Sequence, residues 1–321
     1  MKMTRPSSSS VRALWVLSII PLAGLACLHA AQPSSSIPFD GRRALEDIRQ
    51  LVAIGPRVAG TPGAQAARDY IKKELQAAGL TVVEQPFEAE TPLGRVGMVN
   101  LLATIPAGGP VPSPSAQRLV IGGHYDTKRF KDFTFVGAND GGSSAAFLIE
   151  LGRVLKRRPN RLPIELLFLD GEEAVVEWEA KDHTYGSRYY VEAARKDGNL
   201  KNIKAFVLVD MIGDKDLLIK RDTNSTPSLM DAVFAAARRL GRREFSSEPY
   251  PIEDDHLEFL EAGVPSVDII DLEYYTSSGK TAWHSEFDTM DNVSASSLQT
   301  VGDVLIAALP ALEGDAPASR R

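Results

Sequence analysis

The stretch Leu166-Leu167-Phe168-Leu169-Asp170-Gly171-Glu172-Glu173-Ala174-Val175-Val176-Glu177-Trp178 sets the reading of the whole chain. Its apolar half belongs to the run Ile164–Leu169, the pattern of a strand buried on both faces. The run stops at the turn pair Asp170-Gly171, and two consecutive carboxylates follow, Glu172 and Glu173. Neighbouring side chains on a turn point different ways, so one carboxylate can bind a metal while the other carries protons. By itself, Asp-Gly-Glu-Glu is equally a solvated surface turn. What decides is the chain on either side.

Upstream, Arg118–Gly123 reads as a strand ending at His124-Tyr125-Asp126. A Gly-rich turn, Phe135–Ser143, carries Asp140 and leads into a helix over Ser144–Leu155. Further upstream, Phe39–Ile54 has helical spacing and is broken by Gly55-Pro56-Arg57. Thr61 is placed to cap a second helix, with Pro62 at its first position and Gly79 beyond its end at Ala78. Leu80–Phe87 and Val96–Ile105 form an antiparallel pair around a turn near Thr91–Gly94, and Pro106–Gln117 is a loop. Downstream come a helix (Tyr185–Arg195), a strand (Ala205–Val209) ending at Asp210, and a helix (Ser228–Leu240). Then follow an acidic segment (Glu253–Glu261), a strand (Val264–Ile270), a loop with Trp283-His284, and a closing helix (Ala295–Leu312). Strands alternating with helices predict an α/β fold, a three-layer α/β/α sandwich with a mixed, mostly parallel central sheet. Such sheets bind ligands beyond the C-terminal ends of their strands. His124, Glu172 and Asp210 each fall at or just past such an end.

The chain has 321 residues, 44% hydrophobic and 24% charged, enough for one catalytic domain with a sizeable core, expected over 39–313. A formal net charge of −6 points away from a nucleic-acid partner. Lys2, Arg5 and Arg12 precede the apolar stretch Ala13–Ala26, so residues 1–31 read as a signal peptide, residues 32–38 as a linker and residues 314–321 as a flexible tail. Gly24-Leu25-Ala26-Cys27 resembles a lipoprotein processing site, and ordinary cleavage near Ala30 or Ala31 competes with it. The expectation is an exported protein, periplasmic, secreted or lipid-anchored through Cys27, and monomeric. Cys27 is the single cysteine, so the mature domain is held by its core rather than by disulfides.

His124, Asp140, Glu173, Asp210 and His284 are the metal-ligand candidates. Histidine and carboxylate donors without cysteine suit a catalytic zinc that keeps an open position. Each residue also has an ordinary explanation: His124 as a core histidine, Asp140 as a turn residue beside Gly141-Gly142, Asp210 as a cap. Their shared placement at strand ends is what joins them.

His124-Tyr125-Asp126, Gly137-Ala138-Asn139-Asp140, Asp170-Gly171-Glu172-Glu173, Asp210 and His284 together resemble the motif series of the zinc aminopeptidase superfamily, over Pro56 to Leu312. Within it the chain resembles the glutaminyl-peptide cyclotransferases. The features are the segment Ala174–Arg188 with Trp178, Lys128-Arg129-Phe130, the run Ile252–Leu260 followed by Gly263-Val264-Pro265, and Trp283 directly before His284. The resemblance implies one Zn2+ held by Asp140, Glu173 and His284, with Glu172 as acid and base and with Asp210 and Asp254 partnering it through hydrogen bonds. It implies Trp178 and Trp283 as pocket walls, Asp268 as a further pocket residue, and peptide or protein N-termini as substrates. Asp268 stands where animal cyclases have a histidine, so two carboxylates, Asp254 and Asp268, are expected close together and sharing a proton.

The implied reaction converts an N-terminal glutamine to pyroglutamate and releases ammonia. Two rivals remain. A zinc aminopeptidase with two metals would use His124 and Asp210 for a second ion with Asp140 bridging. A non-catalytic metal-binding relative would keep the fold without needing Glu172.

Overall fold

The computed structural model describes residues 2–3, 38–108 and 117–314. The expected signal peptide, Cys27, nearly all of the linker and the tail beyond Gly314 lie outside the described residues. From residue 38 onward the described chain falls within one unit, residues 36–321.

Helix α1 (Gly41–Ile54) begins at Asp40, whose carboxylate accepts from the amides of Arg42 and Arg43. Ala44, Ile48 and Leu51 recur at helical spacing and are all buried. Helix α2 (Pro62–Ala77) has Thr61 as its cap, accepting from the Ala64 amide, and Pro62 at its start. Strands β1 (Val82–Thr91) and β2 (Gly94–Ile105) form the antiparallel pair, joined at Pro92-Leu93.

The parallel part of the sheet follows: β3 (Arg118–His124), α3 (Gly142–Leu155), β4 (Ile164–Leu169), α4 (Tyr185–Lys196) and β5 (Ile203–Asp210). Then come β6 (Ile219–Asp222), α5 (Pro227–Arg239), β7 (Phe245–Tyr250), α6 (His256–Glu261), β8 (Ser266–Ile270) and α7 (Ala295–Leu312). The main sheet has six strands in the order β1-β2-β4-β3-β5-β8. β1, β2 and β4 pair antiparallel, whereas β4, β3, β5 and β8 run parallel.

Alternation along the strands builds the three layers. Leu119, Ile121, Leu166, Phe168, Val207 and Val209 face α1, α2, α3, α5 and α7. Val120, Leu167, Leu169, Phe206 and Leu208 face the opposite way, against Tyr190 and Val191 of α4 and Phe259 of α6. The strand Ile164–Leu169 has every residue buried, as a parallel strand covered on both faces must. α3 lies close over the sheet: a side chain at Gly123 would meet Ser144 Cβ and the Val209 carbonyl at 2.7 Å.

The chain leaves β3 for β4 on one side and β5 on the other. This is the reversal of winding that opens a crevice at the C-terminal edge. The second sheet, β6 paired parallel with β7, is absent from the reading by pattern. Lys220, Arg221 and Asp222 give β6 no apolar alternation, and it is four residues long.

Candidate metal centre and cavity

Each strand of the crevice delivers one side chain. β3 ends at His124, β5 at Asp210, and the turn after β4 carries Glu172 and Glu173. That turn needs glycine. Gly171 has φ 71°, and a side chain there would meet the Met98 sulfur at 2.4 Å. Asp126 holds the turn from beneath, accepting from the amides of Glu172 at 3.2 Å and Glu173 at 3.4 Å.

The loop bearing Asp140 is held in the same way. Asp288 accepts from the amides of Asn139 (2.8 Å) and Asp140 (3.0 Å) and from the Tyr274 hydroxyl (2.9 Å). Arg57 is wholly buried and donates to the carbonyls of Tyr125 (2.9 Å), Val136 (2.6 Å) and Gly137 (2.8 Å). Burial lowers its pKa to about 10, so it stays charged at neutral pH. His284 and Met211 both have left-handed backbones, φ 51° and 45°, as do Ala180, Lys181 and Thr184 in the loop after the Glu172–Glu173 turn.

Asp140, Glu173 and His284 converge. His284 Nε2 stands 3.3 Å from Asp140 Oδ2 and 3.3 Å from Glu173 Oε2. Those two oxygens are buried and accept no hydrogen bond. Donors arranged tetrahedrally around an ion at about 2.0–2.1 Å stand about 3.3–3.4 Å apart. One nitrogen and two unspent carboxylate oxygens therefore fit zinc with an open position. The two carboxylates outweigh burial and push His284 up to about 10. Burial opposes ionisation of Asp140, but His124 and His284 hold its pKa below the usual range.

A second group, His124, Asp140 and Asp210, lies beside the first and shares Asp140. His124 Nε2 is 3.2 Å from Asp140 Oδ1 and 3.1 Å from Asp210 Oδ1. Here the carboxylate is already engaged, since Asp210 Oδ1 accepts from the Ser144 hydroxyl (2.9 Å) and the Met211 amide (2.8 Å).

Glu172 points away from its neighbour. Its Oε2 is 3.7 Å from His124 Nδ1. Burial raises its pKa well above the usual value; His124 opposes this, and Asp254 and Glu173 add to it. Asp254 accepts from the Asp255 amide at 2.5 Å. Burial raises it too, reinforced by Asp210 and Asp255. No hydrogen bond among the described residues joins Asp254, Asp210 and Glu172; charge couples Glu172 to Asp254 and Asp254 to Asp210. Asp268 does not line the pocket. It sits on β8 two residues deeper than Ile270, which does, and its Oδ2 is 3.7 Å from His256 Nδ1. Burial, then Asp254 and Asp222, raise its pKa well above the usual value.

These groups open into a cavity of about 320 Å³. Asp140, Glu172, Glu173, Asp210, Asp254 and His284 form its floor, and Trp178 and Trp283 line it. Trp178 stacks on His183 with ring centroids 4.1 Å apart, and Trp283 stacks on His284 at 4.5 Å. Lys128 reaches in, its Nζ 3.8 Å from Glu173 Oε2 and donating to the Ala174 carbonyl. Arg57 and Asp288 went unread in the sequence. Each acts on a loop distant in the chain, and Gly-Pro-Arg or Phe-Asp-Thr carries no pattern for that.

Residues 100–309 match peptidase family M28. The glutaminyl-peptide cyclotransferase of Boiga irregularis is 32% identical over 289 residues, spanning 78% of this chain and 75% of that protein. Among solved structures, an Acidobacteriales bacterium glutaminyl cyclase is 40% identical with a TM-score of 0.81, covering 88% of this chain and 98% of that one. The Porphyromonas gingivalis glutaminyl cyclase is 28% identical with a TM-score of 0.74, covering 85% and 98%.

Proposed function

The chain belongs to peptidase family M28 and, within it, to the glutaminyl-peptide cyclotransferases, and from this we propose that it converts the N-terminal glutamine of peptides to pyroglutamate with release of ammonia. The observation that carries the reading is the division of labour between two consecutive carboxylates. Glu173 leaves an unspent oxygen beside His284 and Asp140, while Glu172 is a buried carboxyl with a raised pKa at the same cavity. A zinc ion held by Asp140, Glu173 and His284 would supply Lewis acidity toward the glutamine side-chain carbonyl.

The rest is the work of the chain. The α-amine nitrogen attacks the side-chain carbonyl carbon of its own residue, so the pocket need only hold one bent conformer. Glu172 takes the proton that the amine loses as the ring bond forms. It returns that proton to the departing nitrogen as the amide bond breaks, and ammonia leaves. Its raised pKa brings it closer to neutrality, where a group that must both accept and donate works best. Trp178 and Trp283 wall the pocket and exclude water, which would otherwise hydrolyse the same carbonyl. Asp254 and Glu173 add to burial in keeping the Glu172 pKa high.

The second triad of donors favours one rival, an aminopeptidase with two zinc ions. The engaged oxygen of Asp210 weighs against it, and one ion is the count we propose. Mass spectrometry of a glutamine-initiated peptide, with a leucine-initiated peptide alongside, separates the two. Loss of ammonia from the first, with the second untouched, is expected. Release of free leucine would overturn the cyclase reading.

A further inference from the structure

The cavity has a chemically distinct mouth. Glu177 and Glu253 both line it, both are exposed, and neither forms an ion pair among the described residues. They come from different segments: Glu177 precedes Trp178 in the loop after the Glu172–Glu173 turn, and Glu253 lies just before α6. Glu253 is near enough to act on the charge of His183, the ring on which Trp178 stacks, so the two acids flank the same wall.

No basic side chain among the described lining residues pairs with them: His284 faces Asp140 and Glu173. Lys128 is turned inward to Glu173 and the Ala174 carbonyl. Burial and Arg188 lower the pKa of His183, so it adds no positive charge at neutral pH. Arg188 itself is engaged with Glu258 and the carbonyls of Lys181 and His183. The cavity below is marked as a ligand site independently of these acids, because the buried oxygens of Asp140 and Glu173 face into it without hydrogen-bond partners.

A substrate whose first residue fills this cavity must lead its second residue out past the mouth. We propose that Glu177 and Glu253 are specificity-determining residues that select peptides with a basic side chain immediately after the N-terminal glutamine. This rests on the cyclase reading above. Carboxylates about 6–8 Å from a passing cation in a largely aqueous mouth change productive binding by about five- to tenfold at low salt, and added salt screens the effect. The acids act on encounter and on holding the second residue, so the preference appears in kcat/KM.

The test compares kcat/KM for Gln-Ala, Gln-Arg and Gln-Glu peptide amides at low and high ionic strength. Gln-Arg is expected to exceed Gln-Ala by about five- to tenfold in dilute buffer and Gln-Glu by more, and the Arg/Glu ratio is expected to shrink severalfold at about 0.5 M salt. The double variant Glu177→Gln/Glu253→Gln is expected to bring the ratio close to one, and Glu177→Lys/Glu253→Lys to invert it. Turnover of all three peptides at equal efficiency by the unaltered enzyme would overturn the proposal while leaving the cyclase reading intact. So would a preference that survives in the double variant. Failure of all three peptides to react, Gln-Ala included, would overturn the reading and the mouth's role with it.

Discussion

Two of the groups of buried carboxylates in this molecule are neutralised in different ways. Between α1, α2 and α3, Glu150 takes both Arg43 nitrogens at 2.5 and 2.6 Å. Arg153 reaches Asp47 at 2.6 Å, Glu74 at 2.9 Å and Glu150 at 3.2 Å. Every acid there has an arginine from within the chain. At the C-terminal edge of the sheet, Asp140, Glu172, Glu173, Asp210 and Asp254 meet His124, His284 and Lys128, and two carboxylate oxygens accept nothing. The first group is finished by folding. The second is finished only by a cation and a substrate, and the same residue types make a brace in one place and a reactive centre in the other.

This contrast can be broken from either side. The largest effect belongs to the open group. His284→Ala leaves the oxygens of Asp140 and Glu173 without a nitrogen partner, so zinc content falls below stoichiometric and turnover drops by about 10⁴-fold; metal analysis beside a rate assay checks both. Glu172→Gln keeps the size and removes the proton carrier. Turnover is expected to fall about a thousandfold with zinc content unchanged, which metal analysis distinguishes from loss of the ion.

Arg153→Ala attacks the closed group. It leaves the buried Asp47 without a cation, holding only the Tyr70 hydroxyl, while Glu150 keeps Arg43. The unfolding free energy is expected to fall by about 3 kcal/mol while the folded variant still binds zinc stoichiometrically, as denaturant titration and metal analysis would report. The smallest effect concerns pH. Burial raises Asp271 to about 7, against about 3.9 in the unfolded chain. Its folded form prefers the proton, so its contribution to stability is full below about pH 4 and is lost as pH rises through 7. Stability is expected to fall by about 2 kcal/mol from pH 5 to pH 8, and Asp271→Asn to flatten that slope. An unchanged slope would place the pH dependence elsewhere.

Two of the proposed ligands were legible because each stands next to a recognisable break, Asp170-Gly171 after β4 for Glu173 and Gly141-Gly142 before α3 for Asp140. The strands and long helices were legible because burial on one or two faces writes a period into the sequence, as in α1 and β4. What stayed hidden is what acts at a distance. Arg57 ties three carbonyls, and Asp288 holds the Asp140 loop from beyond His284; neither leaves a local pattern. The β6–β7 pair was missed because its strands are short and charged. Asp268 was expected in the pocket; alternation gives it the face of Ile270, but the register with Leu208 sets it two residues deeper, which spacing along the chain does not give.

The ligands are also far apart along the chain, and this fixes the order of events while the protein is made. Asp140 and Glu173 leave the ribosome long before His284, and the Asp288 carboxylate that positions the Asp140 loop follows later still. A nascent chain therefore carries a half-built centre from Glu173 until His284 is made, about a third of its length. With the proposed ligands, a metal would be among the last things acquired, after the chain has been made and folded past Asp288.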